Sequence, residues 1–170
     1  MPATAKKLRA RDKIAKNRKT LAGILDGLRS QGKAVVLTNG CFDILHVGHV
    51  RCLEDARSRG DFLVVAVNED EVVTRLKGKG YPVNTCAERM EVLAGLGCVD
   101  YVVSFKEETA DALIEALKPN LYAKGTDYTE RSIPESSTVK AVGGKVVIVG
   151  DKKDHASSKV VERIRKRKFD

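Results

Sequence analysis

Apolar residues recur along the chain in two rhythms. From about Ala15 to Ser30, Leu21, Ile24, Leu25 and Leu28 return every three or four positions, which puts them on one face of a helix. Gln31-Gly32 then supplies a stop. The second rhythm is a set of short unbroken apolar runs rich in β-branched residues: AVVLT (34–38), FLVVAV (62–67), YVVSF (101–105), NLYA (120–123) and KVVIV (145–149). Runs without a polar alternate suit strands covered on both faces, as in a parallel sheet. Helical stretches fall between them, at about 48–59, 69–75, 86–96, 107–118 and 135–142, and a basic helix closes the chain from about Ser158 to Lys168. Strands alternating with helices predict an α/β fold of repeated βα units around a parallel sheet.

In such a sheet, ligands bind at the carboxyl ends of strands, where the strand order reverses. The first strand ends in Thr38-Asn39-Gly40 and the fourth in Lys124-Gly125-Thr126-Asp127, two of the more unusual polar stretches in the chain.

Length and composition narrow the picture. The 170 residues suit one domain with a sizeable core. No apolar run approaches the roughly 20 residues of a membrane span. The basic N-terminus lacks the apolar segment of a secretory signal, so a cytoplasmic protein with no membrane partner is expected. Residues 1–14 read as a basic segment, its first dozen residues disordered, ahead of a single domain over 15–170. The net charge of +8 belongs to the ends: residues 1–20 hold eight Lys/Arg against Asp12, and residues 159–170 hold six against Glu162 and Asp170. Basic ends can bind nucleic acid, but they more often form solvated faces. No aromatics are interleaved with them and the chain has no Trp, which argues against stacking on bases. Cys41, Cys52, Cys86 and Cys98 form no CxxC and no zinc spacing, and are read as free thiols.

The chemistry concentrates in LTNGCFDILHVGHV, residues 37–50. His46 and His49 stand three apart around a helix start, and so share a face. A helix N-terminus offers free N–H groups and partial positive charge to an anion. Gly40 and Gly48 let backbone come close. The combination describes a phosphate cradle with two imidazole donors. A metal site is the competing reading, but no third ligand is evident. Asp43 is as plausible as a helix cap.

TNGCFDILHVGH resembles the signature of the HxGH nucleotidyltransferases, a cytidylyltransferase-like superfamily, and within it the heptose 1-phosphate adenylyltransferase branch, the C-terminal domain of the bifunctional ADP-heptose synthases. The likeness runs from about Lys19 to Arg165 and includes AVNEDEVVTRLKGKGYPVN, AERMEVL, VDYVVSF and KGTDY. The kinase half is absent from the sequence, so the stand-alone form is expected. The resemblance implies a Rossmann-like, doubly wound five-stranded sheet of order 3-2-1-4-5 with helices on both faces. Strands one and four would then be neighbours. It further implies a homodimer, for which the helix at 15–30 is a candidate interface.

The implied reaction joins an NTP, foremost ATP, to D-glycero-D-manno-heptose 1-phosphate, giving ADP-heptose for lipopolysaccharide or surface-glycan synthesis and releasing pyrophosphate. A phosphate monoester is largely dianionic at neutral pH, its second pKa being about 6, so no general base is required. Positioning and charge stabilisation are. His46 and His49 suit the triphosphate, with Asn39 and the backbone of Gly40, Cys41 and Phe42 holding phosphate beside Gly48. Mg²⁺ is expected with the NTP, ligated mostly by substrate oxygens and water, with no resident metal site. Lys77, in a Gly/Lys/Pro-rich loop from Arg75 to Asn84, is expected to act as a lid cation. By resemblance Arg89 supports the site, either through phosphate or by bracing the loop. Lys124, Gly125 and Asp127 lie beside base and ribose. Ser157 and Ser158 stand in for a Ser/Thr-rich triphosphate motif whose first position is Ala156 here. Relatives carry an Arg near position 151; Asp151 occupies it, and Lys152 or Lys153 is left as a substitute. Three rivals remain: transfer to another small phosphate such as glycerol 3-phosphate, a nucleic-acid-binding domain built on the basic ends, and a noncatalytic nucleotide sensor.

Overall fold

A computed structural model describes residues 9–129, 131–152 and 155–167. Helix α1 (Arg18–Ser30) precedes strand β1 (Val35–Gly40). Then follow α2 (Val47–Ser58), β2 (Phe62–Asn68), α3 (Asp70–Lys77), α4 (Cys86–Gly95), β3 (Tyr101–Phe105), α5 (Asp111–Leu117), β4 (Leu121–Gly125), α6 (Ser136–Ala141), β5 (Lys145–Val149) and α7 (Ser157–Lys166). The five strands are parallel in the order β3-β2-β1-β4-β5, the doubly wound arrangement expected.

The unbroken apolar runs are explained by burial on both sides. Along β1, Val35 and Leu37 face one cluster and Val36 the other, and all three are essentially inaccessible. The first cluster takes Leu21 and Leu25 from α1, Leu113, Ile114 and Leu117 from α5, and Val139 from α6. The second takes Leu53 and Ala56 from α2 and Leu93 and Ala94 from α4. Full burial of each Leu or Val stabilises by about 1.5–3 kcal/mol, which makes these layers the principal cohesion of the molecule.

Several boundaries differ from expectation. The N-terminal helix begins at Arg18 because Asn17 caps it, its side chain accepting from the Thr20 amide at 2.8 Å. The α5 helix starts at Asp111 rather than near 107, since Glu107 folds back onto the Lys106 amide and pairs with Arg18 at 2.7 Å. Residues 10–14 are ordered rather than disordered: a 3-10 turn over Ala10–Lys13 leads to Ile14, which bridges Val102, and Lys13 Nζ donates to the carbonyls of Leu96 and Val99 at 3.0 and 2.7 Å. Residues 1–8, where most of the disorder was expected, lie outside the described residues. Because α1 spends Leu21 and Leu25 on the core, Ile24 is the large apolar side chain it leaves exposed.

The β1–β4 junction positions the site. Whereas β1 pairs with β2 over six positions, it pairs with β4 only at Val36–Leu121 and Leu37–Tyr122. Beyond Leu37 the two strands part, and a crevice opens between their carboxyl ends, at the switch point where ligands bind in such sheets.

Candidate active site

A cleft of about 560 Å³ occupies this crevice. Its floor is Asn39 of β1, whose Oδ1 accepts from the Tyr122 hydroxyl at 2.6 Å and from Lys124 Nζ at 2.9 Å. Both donors come from β4, so one amide oxygen ties the parted strands together. Lys124 is only 8% exposed, with the rings of Tyr122 and Tyr128 at 5.1 and 5.2 Å. Burial lowers its pKa from the ordinary value, opposed by the charges of Glu135 and Asp127. The site thus holds a buried lysine at its base.

The signature turn follows β1. Gly40 is required by close approach: a Cβ there would meet the Phe42 ring at 3.2 Å. Phe42 itself adopts φ +47°, a left-handed conformation costing about 1–2 kcal/mol for a residue with a side chain. The turn delivers His46 as the N-cap of α2 and His49 to its third helical position. The two rings stack with centroids 3.9 Å apart, and the His46 amide donates to His49 Nδ1 at 3.3 Å. The Phe42 ring lies 5.5 Å from His49. Cys41 lines the cleft, and burial pushes its thiol pKa up, so the sulfur stays protonated and is no nucleophile.

Asp43 proves not to be a helix cap. It is buried, and its carboxylate accepts from the amides of Val83 and Asn84 at 2.9 Å. This pins the far end of the expected lid. The α3 helix runs on through Arg75 and Lys77, so the loop proper begins at Gly78, and Thr74 Oγ1 holds its Tyr81 carbonyl at 2.7 Å. Lys77 lines the cleft at the helix end, its ammonium 5.9 Å from the Tyr81 ring.

Arg89 lies outside the main cleft, and the geometry fits the bracing alternative rather than a phosphate contact. Its side chain is fully buried, and the guanidinium donates to the carbonyls of Asn84, Cys41 and Asn68 at 3.0, 2.5 and 2.8 Å and to Asp70 Oδ1 at 2.7 Å. One cation therefore joins the signature turn, the end of β2 and the start of α4.

From β4, Gly125 and Asp127 line the cleft, and a Cβ on Gly125 would meet Asp127 Oδ1 at 2.9 Å. Thr126 Oγ1 donates to the Asp151 carbonyl at 2.7 Å. From α7, Ser157 and Ser158 both reach the cleft wall, although the Ser157 hydroxyl is committed to the Ile44 carbonyl at 2.9 Å. Lys152 also lines the cleft, while Lys153 lies outside the described residues. Asp151 is ion-paired with Arg51 of α2 at 3.2 Å. Among the described residues no group of three His, Cys, Asp or Glu could hold a metal ion.

The cytidylyltransferase-like family model matches residues 37–165, from the end of β1 into α7, and so takes in the entire cleft. The chain belongs to this cytidylyltransferase-like family. It is a nucleotidyltransferase domain, and the family's span begins at the signature turn that carries both histidines. The chain is 49% identical over 143 residues to the bifunctional protein HldE of Pseudomonas aeruginosa (strain LESB58), covering 84% of this chain and 30% of that protein. The HldE of Azotobacter vinelandii matches at 49% over 142 residues, again over 30% of its length. The chain thus spans under a third of the curated relatives it matches. Among solved structures, a lipopolysaccharide core biosynthesis protein from Thermoplasma volcanium aligns with TM-score 0.62 and 28% identity, covering 72% of this chain and all of that one. A pantoate-beta-alanine ligase from Francisella tularensis, at TM-score 0.62, 19% identity and covering 88% of this chain and 72% of its own, shares the fold.

Within this cytidylyltransferase-like domain, the fold gathers thirteen of the site residues expected from the sequence into one cleft, and sets Arg89 behind it. Sequence reasoning missed Arg51, Cys52, Tyr81, Thr126, Tyr128 and His155, all of which line the cleft. Tyr128 and Thr126 belong to KGTDY and could have been found there. Arg51 sits two residues past His49, within the first turns of the same helix. Tyr81 carried no signal, because only the fold brings its loop to β1.

Proposed function

We propose that this chain adenylylates D-glycero-D-manno-heptose 1-phosphate with ATP, giving ADP-heptose and pyrophosphate. The observation that carries the reaction class is the pair of stacked imidazoles at the N-terminus of α2, facing one cleft with Lys77 and Lys124. Near-half identity to the HldE proteins supports the heptose acceptor and the ATP donor.

A phosphate oxygen of the sugar attacks the α-phosphorus in line. The bond to the bridging oxygen breaks, and pyrophosphate leaves with the electron pair. The nucleophile is already anionic, so the protein's task is to place two anions together and to stabilise the charge growing on the leaving group. The imidazoles of His46 and His49 serve the leaving phosphates, aided by the N–H groups at the N-terminus of α2. Lys124, from the floor, and Lys77, from the rim, offset repulsion between the triphosphate and the incoming sugar phosphate. Mg²⁺ would be carried by the oxygens of the NTP and would help offset the charge of the phosphates.

The nucleic-acid alternative loses much of its basis. Lys13 and Arg18 are engaged by the fold itself, and Arg11 pairs with Glu91 at 3.0 Å.

The test is pyrophosphate release with D-glycero-β-D-manno-heptose 1-phosphate, Mg²⁺ and each of ATP, GTP, CTP and UTP. Turnover with ATP is expected, and His49→Ala should lower kcat by at least 100-fold, the scale of losing one charge-stabilising donor. Turnover only with glycerol 3-phosphate, or binding of NTP without pyrophosphate release, would refute the assignment.

A further inference from the structure

The third histidine of the chain does not belong to the signature. His155 lies in the segment between β5 and α7, one residue before the N-cap Ala156, 106 positions beyond His49. The fold nevertheless returns it to the same place. Its ring lies near that of His46, with centroids 6.0 Å apart and planes inclined by 28°, and His46 also stacks on His49 at 3.9 Å and 29°. The three imidazoles therefore form a cluster in which His46 contacts both of the others.

Backbone lies close to both rings. A Cβ on Gly48 would meet the His46 ring at 3.1 Å and the His155 Cβ at 3.2 Å, a tight fit that would make these neighbours shift by a few tenths of an ångström. The second helical position of α2, whose amide has no acceptor within the helix, therefore packs against both His46 and His155. The anchors on either side of His155 are also defined. Ser157 Oγ holds the Ile44 carbonyl at 2.9 Å, and the Gly150 amide donates to Asp55 Oδ2 at 2.8 Å. His155 is thus tethered to both the start and the body of α2, and it lines the cleft with Ser158.

We propose that His155 is a further phosphate-binding residue, contacting the β- and γ-phosphates of the NTP and hence the departing pyrophosphate. The proposal rests on the nucleotidyltransferase reading of the cleft. The geometry favours this end of the substrate for two reasons. His155 stands on the α2–α7 side, where two helix N-termini converge, whereas the cations Lys77 and Lys124 come from α3 and β4. And a third donor beside the signature pair can follow the charge as it moves from the α–β bridge onto the leaving group. The acceptor phosphate has no part in this contact.

The experiment is isothermal titration of inorganic pyrophosphate, with Mg²⁺, into the wild-type chain, His155→Ala and His155→Gln, paired with steady-state kinetics. Thermal melts confirm that each variant is folded. His155→Ala should weaken pyrophosphate binding and raise the KM for ATP about tenfold, equivalent to about 1.4 kcal/mol. The KM for the sugar phosphate should stay unchanged. His155→Gln, which keeps an N–H donor, should recover part of the loss. Equal pyrophosphate affinity in wild type and His155→Ala, or a loss confined to the sugar-phosphate KM, overturns the inference. A wild-type chain that binds pyrophosphate in a His155-dependent way yet turns over no heptose 1-phosphate refutes the acceptor assignment and leaves this contact standing.

Discussion

Two buried cations do different work at the residue scale. Arg89 satisfies three main-chain carbonyls and also pairs with the half-exposed Asp70, so removing it strips those carbonyls of their buried donor. Arg89→Ala should cost about 3–5 kcal/mol in a denaturant titration, the scale for breaking a buried charged network. Arg89→Lys should recover little, since one ammonium cannot span acceptors arranged for a planar fork. Lys124 presents the opposite case. Burial holds its pKa below the ordinary lysine value. The folded state therefore gives up that proton more readily than the unfolded chain, and between the two values the unfolded chain binds more protons. A penalty for the buried charge is present in full below the folded value, and is relieved as pH rises through it toward about 10.4. Lys124→Met should melt higher than wild type at pH 7, with the gap narrowing toward pH 10, while losing turnover. Differential scanning calorimetry across that range checks the sign, and a gap that widens with pH would contradict it.

Elements explain why much of this was legible. Strands β3 and β5 occupy the stretches read from apolar runs alone, because burial on both faces demands a run and turn residues end it. The HxGH pair was visible because adjacent residues at a helix start need no long-range information. Asp43 shows the limit. Its neighbours in sequence suggest a cap, yet its acceptor work is for amides 40 and 41 positions away. Likewise Arg89 reads as a helix-surface cation until β2 and the signature turn close over it. His155 could be placed only once α7 was known to dock on α2. At this scale the loop from Gly78 to Thr85 is tied at both ends, to Thr74 and to Asp43. Asp43→Asn removes one carboxylate oxygen from the Val83 and Asn84 amides while keeping the shape. It should lower kcat/KM about tenfold through a raised KM, with only a small change in Tm. Unchanged kinetics would mean that the loop's tether does not serve the site.

For the whole molecule, the decisive feature is that β1 and β4 share only two register positions before parting. The sheet is thus firmly laddered from β3 to β1 and from β4 to β5, and thinly joined between. That line is a thinner join, crossed near its start by Val35 with Asn120 and at the cleft by Asn39 with Tyr122 and Lys124. A nucleotide lying across the join would bridge the two halves and so become part of what holds the fold closed. Binding free energy would then appear as local stability well away from the ligand. Amide hydrogen exchange should slow on adding ATP not only around His46 but along β5, at residues 145–149. Slowing confined to the cleft loops would locate the weak line elsewhere. On this view the substrate fastens the two halves together, and the empty protein is expected to open along the same crevice that it uses to bind.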